Sequence, residues 1–200
     1  MIAPLAVLIA AALELLVAEP PARAHPVAWL GCAVAPLDRE WRRPRLVGAV
    51  GALAVPVTAA VAVAVFVVAA GRASPWLAAA VAGVALFVAT SLRMLLSEAS
   101  STVAATPTDL DAARRSLRAL AGRDAGTLSA GQVRSAAVES AAENLADGLV
   151  APLAAFVAGV VVGQAATLSP VPSLALGAGG AAWVKAVNTL DSMLGYRSKP

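Results

Sequence analysis

Three carboxylates recur at intervals of four residues between Glu139 and Gly148. On an α-helix, Glu139, Glu143 and Asp147 would share one face. Asn144 adds an amide next to it. Such carboxylates repel one another unless water solvates them, or unless a divalent cation or a cationic substrate group lies between them. Mg²⁺ suits oxygen ligands and often bridges to phosphates. The spacing indicates a candidate site, and the alternative is a solvated helix face beside a membrane.

A second polar cluster ends an apolar segment, from Lys185 to Arg197 (KAVNTLDSMLGYR). Polar groups at such a place are costly unless water solvates them or the protein uses them. Asp191 could bind a metal. Lys185 or Arg197 could hold a phosphate or carboxylate, the arginine through a bidentate contact. Asn188 supplies an amide. From the residues alone, an equally good interpretation is that this cluster is the ordinary end of a membrane span at the interface.

Two shorter motifs have simple structural alternatives. His25, the only histidine, precedes a proline, a setting more often structural than catalytic. Arg123 and Asp124 could contact a phosphate, although a salt bridge in a turn is the simpler account. The sequence holds no phosphate loop ending in Gly-Lys-Ser/Thr, no serine nucleophile elbow and no His-Glu-x-x-His motif. Any use of ATP would therefore not involve a P-loop.

The composition indicates that a lipid bilayer surrounds the elements that carry these residues. Of 200 residues, 60% are hydrophobic and 14% are charged. The mean hydropathy is +0.79, far above that of a typical soluble domain. The net charge of +3 comes with two lysines and no dense basic run, which argues against nucleic-acid binding. The single Cys32 excludes an internal disulfide and a cysteine-based zinc or redox motif.

Apolar runs of membrane-spanning length predict an all-α, polytopic transmembrane helical bundle of about 4–5 spans. The predicted spans are residues 2–18, 46–70, 76–96, 149–168 and the shorter, glycine-rich 174–187. The first contains Glu14 and has no basic residue before it, so we interpret it as a retained span rather than a signal peptide. Pro56 is a candidate kink in the second.

The polar segments are predicted to share the cytoplasmic face of the cell membrane. Residues 97–147 hold seven acidic residues, five arginines and no aromatic residue, which is typical of a water-exposed helical insert. The linker 21–45 holds five arginines against two acidic residues, so the positive-inside rule places it in the cytoplasm. Alternation of the spans then brings the insert and residues 188–200 to the same face.

Two capping boxes predict where helices begin within the insert. Thr108 with Asp111 resembles a capping box and is followed by apolar residues at helical spacing. Ser129 with Gln132 forms a second capping box, and the helix that it opens is expected to reach Leu145.

The two polar clusters closely resemble the signature stretches of the CobD/CbiB family, the membrane-bound adenosylcobinamide-phosphate synthases of cobalamin biosynthesis. They are residues 139–153 (ESAAENLADGLVAPL) and 185–196 (KAVNTLDSMLGY). His25-Pro-Val with Gly31 resembles the family's early His-Pro-Val motif, and residues 121–124 (AGRD) resemble its Val-Gly-Arg-Asp. The four motifs occur in the family's order across nearly the whole chain.

The resemblance implies an ATP-dependent acid–amine ligase. Such an enzyme joins the carboxyl group of adenosylcobyric acid to the amine of aminopropanol phosphate, or of aminopropanol, and gives adenosylcobinamide phosphate. A carboxylate is a poor electrophile, so an acyl phosphate is the natural activated form and Mg²⁺-neutralised phosphates are the natural requirement.

The resemblance also implies roles for individual residues. The implied catalytic residues, with the asparagines as hydrogen-bonding positioners, are Glu139, Glu143, Asn144, Asp147, Asn188 and Asp191. The residues implied to bind substrate or phosphate are His25, Arg123, Asp124, Lys185 and Arg197. The candidate Mg²⁺ ligands are Glu143, Asp147 and Asp191.

The chain departs from the family pattern in two places. After the first span, Glu19 replaces the aspartate of the family's usual Gly-Asp-Pro, which keeps a carboxylate and lengthens it. Family members continue well beyond the position of Pro200, so we expect a fragment, a truncated product or half of a split protein. The implied partners are both substrates, and either other corrinoid-pathway enzymes or a C-terminal half. The composition adds the lipid bilayer as a partner and argues against nucleic acid.

The alternative class is a non-enzymatic membrane protein, either a transporter component or an AmpE-like sensory membrane protein. Transport needs charges at mid-membrane depth, usually within inverted repeats. Here the carboxylates lie in the predicted insert and the sequence shows no repeat, which favours the enzyme.

Overall fold

The computed structural model of the chain describes residues 2–17, 23, 25–121 and 125–195. These residues form helices, turns and loops without a strand, which confirms the predicted all-α class over this part of the chain. Their α-helices are α1 (Ile2–Leu16), α2 (Pro26–Val34), α3 (Pro44–Ala73), α4 (Pro75–Ala89), α5 (Leu92–Ala105), α6 (Leu110–Ala121), α7 (Ala130–Leu145), α8 (Ala151–Ala165) and α9 (Pro170–Leu194). The chain divides into two compact units, unit 1 (Met1–Thr90 with Val150–Pro200) and unit 2 (Ser91–Leu149).

Unit 1 is built around α9, which packs against α3, α4 and α8, while α1 packs along α4. Its core combines many alanines with a few large buried side chains such as Leu86 and Leu174. Small residues let helix backbones approach closely, as is common in membrane bundles. A Cβ at Gly177 of α9 would lie 2.6 Å from the carbonyl oxygen of Phe156 on α8. The α8–α9 contact therefore requires a glycine at position 177.

Within the described residues, three helical stretches are long and apolar enough to cross a membrane, namely Pro44–Ala73, Pro75–Ala105 and Ala130–Ala165. They contain the predicted spans 46–70 and 76–96 and overlap most of 149–168. The predicted span 2–18 corresponds to the 15-residue α1, and 174–187 lies within α9. Neither helix is among the three, so their membrane crossing stays a prediction. Helix α3 continues through Pro56.

The predicted span 76–96 is interrupted at Thr90 and Ser91, where α4 ends and α5 begins. Thr90 is extended, and its hydroxyl donates to the carbonyl oxygen of Phe87 at 3.1 Å. The amide of Ser91 donates to the carbonyl oxygen of Gly148 at 3.1 Å. A hydroxyl side chain that bonds a nearby carbonyl competes with helical bonds, so Thr90 helps to end α4 here.

The linker 21–45 contains a helix that the sequence did not predict, α2, followed by the 3₁₀ turn Ala35–Leu37. His25 caps this helix, because its Nδ1 accepts a 3.2 Å hydrogen bond from the amide of Val27. Pro26 occupies the first helical position, where its missing N–H costs little.

Unit 2 is made of α5, α6 and α7, each in contact with the other two. Leu117 and Val133 are buried at its centre. Arg114 links α6 by hydrogen bonds to the segment before α7. Its Nε and one terminal nitrogen donate to the carbonyl oxygen of Leu128 at 2.9 and 2.7 Å, and its other terminal nitrogen pairs with Asp111 at 3.0 Å.

The two predicted capping boxes have different outcomes. The first is wrong by one residue, because Asp109 rather than Thr108 caps α6. Its Oδ1 accepts a 2.8 Å hydrogen bond from the amide of Ala112, since a carboxylate is a stronger acceptor than a hydroxyl. The second is confirmed: Ser129 Oγ accepts from the amide of Gln132, and Gln132 Oε1 accepts from the amide of Ser129 at 2.9 Å.

Candidate functional site

The acidic face consists of Glu139, Glu143 and Asp147, and all three side chains are exposed. Glu139 and Glu143 lie one turn apart on α7. Asp147 follows in a short π-helical segment, Ala146–Val150. A π-helical turn is wider than an α-helical one. The predicted single α-helical face therefore holds for the two glutamates, and its spacing changes at Asp147.

The sequence next to Asp147 explains the π-helical segment. In a regular α-helix the carbonyl of Gly148 would accept from the amide of residue 152, but Pro152 has no N–H and its ring crowds that carbonyl. The amide of Ser91 supplies the missing donor. A Cβ at the buried Gly148 would lie 3.0 Å from Ser91 Oγ. The glycine of the motif thus permits the close approach of Ser91.

Asn144 is held in place by Ser140, one turn earlier on α7. Its Nδ2 donates to the carbonyl oxygen of Ser140 at 2.8 Å and to the hydroxyl oxygen at 3.3 Å. The Ser140 hydroxyl in turn donates to the carbonyl oxygen of Leu120 on α6 at 3.3 Å. Because the amide nitrogen is engaged within the helix, the amide oxygen of Asn144 is the group available to accept a hydrogen bond from a ligand.

A cleft of about 390 Å³ lies within unit 2 beside Asn144. The described residues that line this unit 2 cleft are Ser91, Met94, Leu95, Glu98, Leu120 and Asn144. The carboxylate of Glu98 is exposed and makes no hydrogen bond or ion pair with any described residue. Neither Ser91 nor Glu98 was among the predicted site residues. No spacing signal marks Glu98, whereas Pro152 signals that Gly148 needs a donor from elsewhere.

The donor set for a metal ion is limited. Among the described residues, no three His, Cys, Asp or Glu side chains are grouped as a metal site. Glu143 and Asp147 are exposed oxygen donors of unit 2, and Asp191 is an exposed donor of unit 1. Mg²⁺ in phosphate-transfer sites commonly uses one or two carboxylates with substrate phosphates and water. Glu143 and Asp147 would therefore suit a Mg²⁺ that takes its other ligands from substrate and water rather than from a cage made only of protein ligands.

The second signature stretch lies within α9, which remains helical where residues 188–200 were predicted to begin a polar segment. The hydroxyl of Thr189 donates to the carbonyl oxygen of Lys185 at 2.8 Å, and that of Ser192 donates to the carbonyl oxygen of Asn188 at 2.9 Å. The hydroxyls are thus used within the helix. Lys185 and Asn188 are half-buried, and Asp191 is exposed.

The early His-Pro-Val motif and the second signature stretch come together in unit 1, because α2 packs against α9. A Cβ at Gly31 would lie 3.6 Å from the sulfur of Met193, an ordinary van der Waals contact. The capping bond of His25 Nδ1 supports the structural alternative for that nitrogen, and a substrate role for His25 stays a prediction.

The described candidate residues belong to different units. Those of unit 2 are Glu139, Glu143, Asn144 and Asp147, and those of unit 1 are His25, Lys185, Asn188 and Asp191. Three further candidates, Arg123, Asp124 and Arg197, lie outside the described residues, as does Glu19.

Comparison with known proteins gives one matching family and a set of curated relatives. A family profile described as CobD/Cbib protein matches residues 7–200. "Probable cobalamin biosynthesis protein CobD" of Methanothermobacter thermautotrophicus is 34% identical over 194 residues, covering 94% of this chain and 57% of the relative. Cobalamin biosynthesis protein CobD of Rhodobacter capsulatus is 35% identical over 182 residues, which cover 87% of this chain and 51% of that relative. Cobalamin biosynthesis protein CobD of Mycobacterium tuberculosis is 37% identical over 179 residues, which cover 89% of this chain and 51% of that relative.

The chain therefore spans a little over half the length of the curated relatives that it matches. No solved structure matches it at a significant level.

Proposed function

Because the chain belongs to the CobD/CbiB family, we propose that it takes part in cobalamin biosynthesis as an acid–amine ligase. The reaction joins the carboxyl group of adenosylcobyric acid to the amine of aminopropanol phosphate, or of aminopropanol, at the expense of ATP. The observation that carries this proposal is the exposed acidic face with Asn144 beside it. Glu139 and Glu143 on one face of α7, with Asp147 exposed just beyond them, suit a surface that receives cations or metal-bound phosphates.

The chemistry defines what the residues must do. A carboxylate oxygen of the corrinoid attacks the terminal phosphorus of ATP and ADP leaves, which gives an acyl phosphate. The amine nitrogen then attacks the acyl carbon and loses a proton, and phosphate leaves as the amide forms. Residues around these steps have to hold phosphates, orient the amine and exclude competing water.

Glu143 and Asp147 of unit 2 would hold Mg²⁺, and Asp191 is a separate metal candidate within unit 1. A bound Mg²⁺ would neutralise part of the negative charge of the phosphates. Lys185 of α9, with Arg123 and Arg197 as further candidates, would hold phosphate or carboxylate groups.

The amide oxygens of Asn144 and Asn188 would accept hydrogen bonds from substrate. This assignment is supported for Asn144 by its fixed amide nitrogen. Glu139 completes the acidic face. Its charge would make the electrostatic potential there more negative, which attracts cations.

The proposal is tested by ligation with the purified chain in lipid nanodiscs, supplied with adenosylcobyric acid, aminopropanol phosphate, ATP and Mg²⁺. We expect mass spectrometry to detect adenosylcobinamide phosphate, and we expect Asp191→Asn to abolish it. The matched control is Ser192→Ala, an exposed neighbour on α9 whose hydroxyl donates to the carbonyl oxygen of Asn188 in the same helix.

Two outcomes count against the proposal. Absence of product from the purified chain would show that this chain does not catalyse the ligation. Transport of a corrinoid by the chain reconstituted in lipid vesicles would favour the non-enzymatic class. Equal product from wild type and Asp191→Asn would remove Asp191 from the mechanism.

A further inference from the structure

Among the described residues that line the unit 2 cleft, the only charge is negative. Of the described residues that line it, Glu98 carries a negative charge, and Ser91 and Asn144 offer uncharged oxygen atoms. None of these described residues is basic. A phosphate or a carboxylate would meet the carboxylate of Glu98, and none of the described lining residues would supply a compensating cation, which is unfavourable. A group with several N–H donors and a positive charge would meet acceptors.

The remaining described walls of the cleft are apolar. They are formed by Met94 and Leu95 of α5 and by Leu120 of α6. Methionine is flexible and adapts to small apolar groups. A volume of about 390 Å³ lies at the lower end of the range of small-molecule sites. The cleft therefore suits a short alkyl chain that ends in an ammonium group.

We propose that the unit 2 cleft binds the primary amine of the substrate, with Glu98 as the counter-ion of its ammonium group and the amide oxygen of Asn144 as a second acceptor. The proposal rests on the proposed ligase function for the identity of the amine. It adds a specificity-determining residue that no motif marks. Asn144 links the cleft to the acidic face, because both use the same stretch of α7.

Calorimetry on the full chain in nanodiscs tests this assignment, with aminopropanol phosphate and propanediol phosphate as a matched pair of ligands. The two differ by an amine in place of a hydroxyl. We expect wild type to prefer the amine by about tenfold or more, as charge-assisted hydrogen bonds are stronger than neutral ones. Glu98→Gln should reduce this preference to near unity. Asp111→Asn, which removes one exposed charge elsewhere in unit 2, should keep it.

A second variant tests the cleft without changing a charge. Met94 is half exposed, so Met94→Trp should narrow the cleft with little effect on folding, and it should weaken binding of the amine ligand. Thermal unfolding of each variant verifies that it is folded.

The outcomes separate this inference from the proposed function. Retention of the amine preference by Glu98→Gln, or no preference in wild type, overturns the inference even if the chain forms product. A preference that depends on Glu98, in a chain that forms no product, supports the inference and counts against the ligase.

Discussion

The amide of Ser91 donates a 3.1 Å hydrogen bond to the carbonyl oxygen of Gly148, and this bond joins the two ends of unit 2. Pro152 leaves that carbonyl without its usual helical donor, so the bond from Ser91 replaces one that the sequence removes. The two residues are also in close contact, because a Cβ at Gly148 would lie 3.0 Å from Ser91 Oγ.

This contact predicts an energetic coupling between positions 148 and 91. Gly148→Ala should be less favourable by about 0.5–1 kcal/mol in the presence of Ser91 than in a Ser91→Ala background, since the added methyl group crowds the hydroxyl. The free energies of unfolding of the four chains of this double-mutant cycle measure the coupling. Gly131→Ala is the control, because a Cβ there meets nothing within 4 Å. Strict additivity of Gly148→Ala and Ser91→Ala would contradict the prediction.

Arg114 is predicted to stabilise unit 2 through its bonds to Leu128 rather than through its ion pair. Arg114→Ala removes two hydrogen bonds to a carbonyl oxygen and should lower the free energy of unfolding by about 1–3 kcal/mol. Asp111→Asn removes only an ion pair whose carboxylate is largely exposed, and should cost less than about 0.5 kcal/mol. Hydrogen exchange of α6 amides compares the two variants. Equal losses of protection would show that the ion pair dominates.

The α8–α9 contact predicts opposite effects for two helical glycines of unit 1. Gly177→Ala would place a Cβ 2.6 Å from the carbonyl oxygen of Phe156, which cannot move aside as a side chain can. We expect a loss of about 1–3 kcal/mol from this overpacking. Gly48→Ala on α3 meets nothing within 4 Å and should be neutral or add up to about 1 kcal/mol. Thermal unfolding in one detergent compares them, and a stable Gly177→Ala chain would argue against the close contact.

Local chemistry made part of the fold predictable from the sequence. The Ser129–Gln132 capping box needs only residues three apart, and both of its bonds are present. The break at Thr90–Ser91 was missed because the partner that stabilises it, Gly148, is distant in sequence. Helix α2 was missed because arginines and prolines around it indicate a linker, whereas its packing on α9 decides its conformation.

The candidate site divides in the same way. The spacing of Glu139 and Glu143 along one helix made two of the three residues of the acidic face predictable. The unit 2 cleft was not predictable, because Glu98 and Asn144 line the same cleft through the packing of α5 against α7. The change of spacing at Asp147 lies between these cases, since Pro152 signals a disturbed helix and does not specify a π-helical turn.

Variants of the acidic face test whether its carboxylates act in ligation or only form a solvated surface. If Glu143 and Asp147 act in ligation, Glu143→Gln and Asp147→Asn should each lower the rate of product formation by about 100-fold or more, as losses of charge-stabilising groups do. Because all three carboxylates are exposed and of like charge, the same variants should leave stability unchanged or raise it by about 0.2–0.5 kcal/mol. Ligation rates at a series of Mg²⁺ concentrations, together with unfolding free energies, separate the two effects. Asp111→Asn serves as the control for loss of one negative charge in unit 2. Full activity of both variants, with only the small gain in stability, would identify the acidic face as a solvated surface.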